Sequence, residues 1–519
     1  MYPTIGKLFD QSVKKYPKKE ALVDVSQGKR WSYEEWNQYV NRVAQAFLSS
    51  GVGKGDIVSV FMHNTSEFAT VYFACAKIGA VLNPINFRLK SGEVSYILND
   101  SKPALFIYEK ALEDQVKLLF DEFPLVSFWS TDENVPEQAI SFHERVLSAE
   151  AAEPAVELDE NDVYAIMYTS GTTGHPKGVL HRHRDMIEQS LTCMHALQLR
   201  PADRGLTAAP MFHCAELHCA FLPRVHNGCT TVILHHFDAK QVLETIQHEK
   251  ITVMFGAPTM WNMMLQEDLD AYNLSSMRFG LYGGASMAPV LVRALGEKMG
   301  IRLVQAYGMT EMGPAISFLF EDEQESKAGS AGKACFNHEI RVVKPGSPGP
   351  SNPDEILPPG EQGEIIVRGP SVMKGYYKRN EATERALYNG WYHSGDIGYM
   401  DEEGYLFVSD RIDDMIVSGG ENIYPREVED VLYEHEGVLD VAVLGEPDEK
   451  WGERVTAIVV KKDENLTELE LDEFCRNSSK LADYKRPRRF VFVPEMPRNA
   501  SGKIQKYLLR NTYTELSAQ

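Results

Sequence analysis

The chain is short of positive charge. Its 519 residues carry 53 Lys and Arg against 74 Asp and Glu, a formal net charge of −21. Nucleic-acid and anionic-membrane binders need a broad basic surface, so both classes are excluded. Any anionic substrate must be held by a few local cations. Cysteine is scarce: seven residues, an odd number with no CxxC pair, point to free thiols in a reducing cytosol. No window has the length and apolarity of a transmembrane span. The opening MYPTIGKLFDQSVKKYPKKE has no signal-peptide core, and the final ELSAQ is not a peroxisomal address. A cytoplasmic protein with no integral membrane segment is therefore expected. Also missing are a fixed-period repeat, an HExxH motif and a Walker loop, GxxxxGK(S/T). Lys177 follows Pro176 and precedes Gly178.

Hydrophobic content of 43% and charged content of 24% are ordinary for a globular protein, and the length exceeds what one core serves, so two or more domains are expected. Residues 31–50 show helical spacing and end at Gly51. IVSVFM (57–62) reads as a strand, EFATVYFACAKIGA (67–80) as a buried helix and AVLNPI (80–85) as a strand. The beat recurs at ALFIY (104–108), TTVILH (230–235), ITVMF (251–255), FGLYGG (279–284) and RLVQAYG (302–308). Strands alternating with helices predict parallel sheets flanked by helices. The Pro- and Gly-rich stretch 344–365 invites a domain boundary by composition. From about Arg411 onward, short strands and helices alternate as in an α+β module.

The string YTSGTTGHPKGV (168–179) follows the apolar run VYAIMYT and leads into KGVLH, which reads as a second strand. A strand–loop–strand element differs from a Walker loop, which opens a helix. Gly171 and Gly174 let backbone approach an anion. Ser170, Thr172 and Thr173 add hydroxyls, and Lys177 adds a mobile point charge.

The complete string resembles the phosphate-loop signature of the adenylate-forming superfamily, which includes acyl-CoA synthetases. His175 departs from the residue usual there. Further segments resemble the family's motifs in order: PMFHC (210–214), YGGAS (282–286), YGMTE (307–311), YHSGD (392–396), DRIDDMIVSGGENIYPREVE (410–429) and PRNASGK (497–503). The resemblance implies an α/β fold with a large N-terminal domain (1–412), built from parallel sheets and a small β-barrel. It also implies a smaller mobile α+β C-terminal domain (413–519), with a hinge at Asp413 in place of the compositional boundary.

The implied reaction is an ATP-dependent acid–CoA ligation, with Mg²⁺ as cofactor and CoA as co-substrate. A carboxylate first becomes an acyl-adenylate, which then passes to the CoA thiol. The implied catalytic residues are Lys503, Thr310, Glu311, Lys177 and His213, with Glu311 as the metal ligand. ATP or AMP would be held by Thr169, Ser170, Gly171, Thr172, Thr173, Gly174, Lys177, Gly283, Gly284, Ala285, Ala306, Tyr307, Gly308, Thr310, Asp396, Arg411 and Lys503. In the family the C-terminal domain swivels after adenylation, withdrawing the lysine and presenting the Gly419–Gly420 loop to the pantetheine tunnel.

Four further expectations combine residue chemistry with the resemblance. YKRPRR (484–489) and Trp451 suit the CoA nucleotide by stacking and phosphate pairing, with Trp451, Tyr484, Arg486, Arg488 and Arg88 as the patch. Methionine-rich segments supply an adaptable acyl wall from His213, Met260, Trp261, Met264, Gly283, Gly308 and Met312. That lining favours a medium- or long-chain fatty acid. The alternatives are an aromatic acid of benzoate or cinnamate type, or an acyl-AMP ligase that loads a carrier protein. HCAELHC (213–219) has zinc-like spacing, yet it opens at the pocket motif and is expected to be core thiols beside a gating histidine. HRHR (181–184) is expected to start a solvated helix. A homodimer is left open.

Overall fold

The structure is a computed structural model describing residues 3–169, 176–284, 287, 289–346, 349–411, 414, 416–418, 421–448, 452–478, 481–498 and 504–513. For 410, 411, 417, 421, 422, 452 and 507 it describes backbone only. Contacts divide the chain into two compact units: 1–339 with 367–392, and 340–366 with 393–519.

The first unit is built on two sheets. One runs Lys333–Ala334, Ser317–Leu319, Arg302–Tyr307, Phe279–Gly283, Val253–Gly256, Arg204–Thr207, Thr230–Ile233, Glu20–Asp24, Lys29–Ser32. Its interior is parallel, and the antiparallel pairings lie toward its two edges. The other runs Gly375–Tyr376, Lys177–Arg182, Val163–Thr169, Val81–Pro84, Ile57–Phe61, Leu105–Tyr108, Ser127–Ser130, Ala139–Ser141. Helix Ser66–Ile78 is buried along its whole length, as befits a helix apolar on all faces. Its one buried lysine, Lys77, reaches Asn37 and Asn41 at 2.8 and 2.9 Å, Glu153 at 2.8 Å and Asp10 at 2.6 Å. A buried ammonium requires such a shell.

The predicted strands all form, each within a residue or two of its sequence limits. Two local readings need correction. The helix expected from residue 31 begins at Tyr33, because Ser32 caps it through a reciprocal bond with Glu35 and Trp31 belongs to the preceding strand. HRHR is not solvated: His181 and His183 are both fully buried, and helix His183–Ala196 starts where Asp185 closes on Arg182. The Ile5 amide donates to His183 Nδ1 at 3.3 Å, so the N-terminal helix covers this corner.

Most of a small five-stranded sheet lies in the second unit: Glu339–Val343, Gly363–Arg368, Trp391–Met400 and Leu406–Arg411, with Leu387–Tyr388 paired to Trp391–Met400. A further sheet runs Glu421–Ile423, Ile416–Ser418, Gly452–Lys461, Val438–Asp448, with Arg489–Val493 paired to Gly452–Lys461. Helices Pro425–Tyr433, Glu468–Asn477 and Lys506–Tyr513 accompany it. The Pro- and Gly-rich stretch is thus the connection between two sheet strands rather than a linker. The boundary expected at 412/413 falls inside this contact unit, and Asp413 lies outside the described residues. No described helix is long and apolar enough to cross a membrane.

Candidate active site

Strands of a parallel sheet deliver their loops to one edge, where ligands bind in open α/β sheets. The YTSGTTGHPKGV element is a strand–loop–strand, as expected: Val163–Thr169 pairs antiparallel with Lys177–Arg182, and Thr169 faces Lys177 in register. The loop residues Ser170, Gly171, Thr172, Thr173, Gly174 and His175 lie outside the described residues. Lys177 Nζ stands 4.7 Å from the centre of the Tyr376 ring. Tyr376 in turn donates its hydroxyl to Glu311 Oε1 at 3.0 Å. This contact joins the phosphate-loop lysine to the YGMTE glutamate through a residue that neither motif contains.

Thr310, Glu311 and Met312 form one tight turn after strand Arg302–Tyr307. Segment 367–392 clamps it: the Met373 amide donates to the Glu311 carbonyl at 2.8 Å, and Ser371 Oγ donates to the Met312 carbonyl at 2.6 Å. His338 Nε2 lies 2.7 Å from that hydroxyl. Gly308 enters the turn at φ +155°, and a Cβ there would lie 1.7 Å from the Pro314 carbonyl, so glycine is required. Gly283 and Ala306 sit in register on neighbouring strands, and a Cβ on Gly283 would meet the Ala306 carbonyl at 2.7 Å. Gly284 and Tyr307 follow at the same sheet edge, whereas Ala285 lies outside the described residues.

The PMFHC segment is placed by Asn64. Its Nδ2 donates to the carbonyls of Ala209 and Leu234, at 3.0 and 3.2 Å, and its Oδ1 accepts from the Met211 amide at 2.8 Å. Two residues on, His213 Nδ1 accepts from the Ala215 amide at 3.2 Å. Burial pushes His213 down to about 4, so the ring is neutral and carries its proton on Nε2. Cys214 Sγ is 3.2 Å from Thr310 Oγ1, and burial pushes this thiol up to about 12. The zinc-like spacing of 213–219 is spent otherwise. Glu216 pairs with Arg224, and His218 bonds Tyr164.

Of the predicted acyl-wall residues, Met260 is nearly buried, whereas Trp261, Met264 and Met312 have no exposed surface. Trp261 donates to the Gly256 carbonyl at 3.0 Å, and its ring fills the space that Cβ atoms at Gly256 and Gly280 would take. It packs as core beneath the sheet. Arg88 stacks on Phe87 at 5.3 Å.

In the second unit, Asp396 and Arg411 are cross-strand partners in register, although fifteen positions separate them in the chain. Asp396 is buried, and its amide donates to Ser394 Oγ at 2.9 Å. Arg486 is engaged by Asp472 and by Asp483 at 3.1 Å, and Arg488 donates to the Asp483 carbonyl at 2.8 Å. Tyr484 is exposed. Gly419, Gly420, Trp451 and Lys503 lie outside the described residues.

Sequence reasoning missed Tyr376, Cys214, Ser371 and Met373. Only Cys214 sits inside a recognised motif. The others lie in a segment about sixty residues beyond Glu311, with no periodicity that betrays their role.

Residues 9–377 match the family described as AMP-binding enzyme, and residues 427–503 match the AMP-binding enzyme C-terminal domain. The chain is 38% identical to the long-chain-fatty-acid–CoA ligase FadD13 of Mycobacterium tuberculosis, over 98% of each chain. It is 37% identical to a feruloyl-CoA synthase of an Amycolatopsis species, over 94% of each. Among solved structures it resembles o-succinylbenzoate CoA synthetase from Bacillus subtilis in complex with the acyl-adenylate OSB-AMP, at 32% identity, 97% of each chain and a TM-score of 0.86. With a family model matched over more than half its length and relatives aligned nearly end to end, the chain belongs to the AMP-binding enzymes, the adenylate-forming superfamily, and is of acyl-CoA synthetase type.

Proposed function

We propose that the protein is an AMP-forming acid–CoA ligase whose natural acid is a medium- or long-chain fatty acid. The observation that carries the reading is the convergence of Lys177, Tyr376 and Glu311, with Thr310 on the same turn, at a strand-end edge. Such a set neutralises and orients polyphosphate, and it needs no protein nucleophile. The FadD13 relative supports a flexible alkyl acid. The feruloyl-CoA synthase relative supports an aromatic acid as the second reading.

In the first half-reaction a substrate carboxylate oxygen attacks the α-phosphorus of ATP in line, and pyrophosphate leaves. Lys177 and the Thr310 hydroxyl steady the departing phosphates. Lys503 neutralises the charge where carboxylate and α-phosphate meet, while Asp396 and Arg411 hold the ribose. Neutral His213 lines the carboxylate pocket without adding charge. Glu311 fits magnesium: one hard carboxylate, fixed by Tyr376 on a clamped turn, suits an ion that takes its other ligands from water and substrate phosphate. When bound, that ion supplies neutralising charge to the phosphates. In the second half-reaction the CoA thiol attacks the acyl carbonyl, and AMP leaves. CoA is assigned to the Arg88, Trp451, Tyr484, Arg486 and Arg488 patch and the Gly419–Gly420 loop. Its phosphates would displace Asp472 and Asp483 from Arg486. The domain boundary at 412/413 with its hinge at Asp413 belongs to this proposal.

The test is incubation with ATP, Mg²⁺ and a panel of acids, following pyrophosphate, AMP and thioester with and without CoA. Thioester with alkyl acids is expected; AMP release without thioester would favour a carrier-protein acceptor. Lys503→Ala should abolish adenylation yet still pass supplied acyl-adenylate to CoA. Equal loss in both half-reactions would overturn the assignment.

A further inference from the structure

Three strand ends away from Glu311 bring two imidazoles and a carboxylate together. His63 lies just past Ile57–Phe61, Glu109 just past Leu105–Tyr108 and His235 just past Thr230–Ile233. The first two strands are parallel neighbours, with Phe61 in register with Tyr108. The third belongs to the other sheet of the same unit. The junction is fixed, because Asn64 bonds the strand exits at Ala209 and Leu234 and its own amide donates to the His235 carbonyl at 3.2 Å. These residues are therefore held on rigid backbone.

Their side chains converge on one point. Glu109 Oε2 accepts from the His63 amide at 3.0 Å and lies 2.9 Å from His63 Nδ1, while Oε1 lies 2.5 Å from His235 Nε2. One donor atom from each residue falls within a 4.8 Å group. The side chains are 18%, 16% and 28% exposed, so the group lines a reachable surface rather than the core. Two imidazole nitrogens and one carboxylate oxygen form a donor set for borderline divalent ions, and three protein ligands leave a position for water. Zinc bonds of about 2.0 Å arranged as a tetrahedron space their ligand atoms about 3.3 Å apart. The imidazole–carboxylate contacts of 2.9 and 2.5 Å would lengthen by less than about 1 Å to reach that spacing, and donor atoms as far apart as 4.8 Å would close by up to about 1.5 Å.

The supporting contacts are those a metal site uses. His235 presents Nδ1 to His236 Nδ1 at 3.3 Å, which leaves Nε2 facing Glu109. The His63 ring stacks on Phe87 at 4.1 Å and on His235 at 4.4 Å. The cation Arg88 stacks on Phe87. A carboxylate salt-bridged to two imidazoles can also be held by protons alone; one ion satisfies the same three donors.

We propose that His63, Glu109 and His235 form a binding site for a divalent transition-metal ion of the zinc class, separate from the magnesium position assigned to Glu311. The Phe87 ring meets Phe212 edge-on at 5.4 Å, one residue before His213. An ion here would therefore stiffen the aromatic wall next to the candidate acid pocket.

The test uses the full-length protein stripped of metal. Zn²⁺ is titrated against a chromophoric chelator, and Co²⁺ is followed by its visible absorption. One Zn²⁺ per chain is expected to bind more tightly than any other, with Co²⁺ bands of a four- or five-coordinate site. His63→Gln and His235→Gln should each weaken that site at least tenfold, whereas the exposed His248→Gln should not. Zn²⁺ should also raise the wild-type Tm and leave the double variant H63Q/H235Q unmoved. Absence of a stoichiometric Zn²⁺, or affinity and Tm shift retained in the double variant, overturns the site.

Discussion

Replacing Tyr376 with Phe removes one oxygen and keeps the ring beneath Lys177. The lost hydroxyl donates to Glu311 Oε1 at 3.0 Å, and Glu311 is only 8% exposed. A hydrogen bond to a charged group is worth about 1.5–3 kcal/mol. If that bond orients Glu311 for the phosphate chemistry, acid-dependent ATP–pyrophosphate exchange should fall about 10- to 150-fold. The loss should appear mainly in kcat, because the bond acts on Glu311 and not on the acid. Tyr376→Leu should cost about 0.5–1 kcal/mol more by removing the cation–π contact with Lys177. The decisive comparison is a double-mutant cycle: in a Glu311→Gln background, Tyr376→Phe should cost far less, a coupling of at least about 1 kcal/mol. Exchange within twofold of wild type, or an unchanged cost in the Gln background, would refute the reasoning. Thermal unfolding of each variant separates this from general loss of fold.

Two further predictions concern stability. Arg224→Ala leaves Glu216 without its buried cation and also removes bonds of 2.8 Å to Thr207 Oγ1 and the Ala220 carbonyl. A loss of about 3–5 kcal/mol is expected in urea unfolding, and less than about 1 kcal/mol would contradict the pairing. His181 and His183 are fully buried, and burial lowers both to about 4 from 6.5. As pH falls through this window the unfolded chain takes up protons that the native state refuses, so stability must fall. Each contributes a slope of up to about 1.4 kcal/mol per pH unit. Urea midpoints at about pH 7 and about pH 5 read this directly, and His183→Gln should flatten the slope.

Much of the fold was legible because short-range pattern encodes it. ALFIY, TTVILH and RLVQAYG are apolar runs of strand length, and each became a strand of a parallel sheet. The strand–loop–strand form of 163–182 followed from the apolar runs on either side of the glycines. HRHR misled because four polar residues look solvated, yet helix Ile5–Lys15 packs over that corner from far away in sequence. Trp261 misled in the opposite sense: an apolar side chain near a pocket motif is indistinguishable, in one dimension, from one packed against Gly256 and Gly280.

Motif identity, the strand and helix beat and the charge balance are local properties of the chain, so they can be read along it. Partnership across the sheets is not. Tyr376 reaches Glu311 across 65 positions, Cys214 reaches Thr310 across 96, and His235 reaches Glu109 across 126. Which strand ends become neighbours depends on sheet order, and that order is set by burying whole faces together. No single segment's spacing records it, so these contacts were decided only when the sheets assembled.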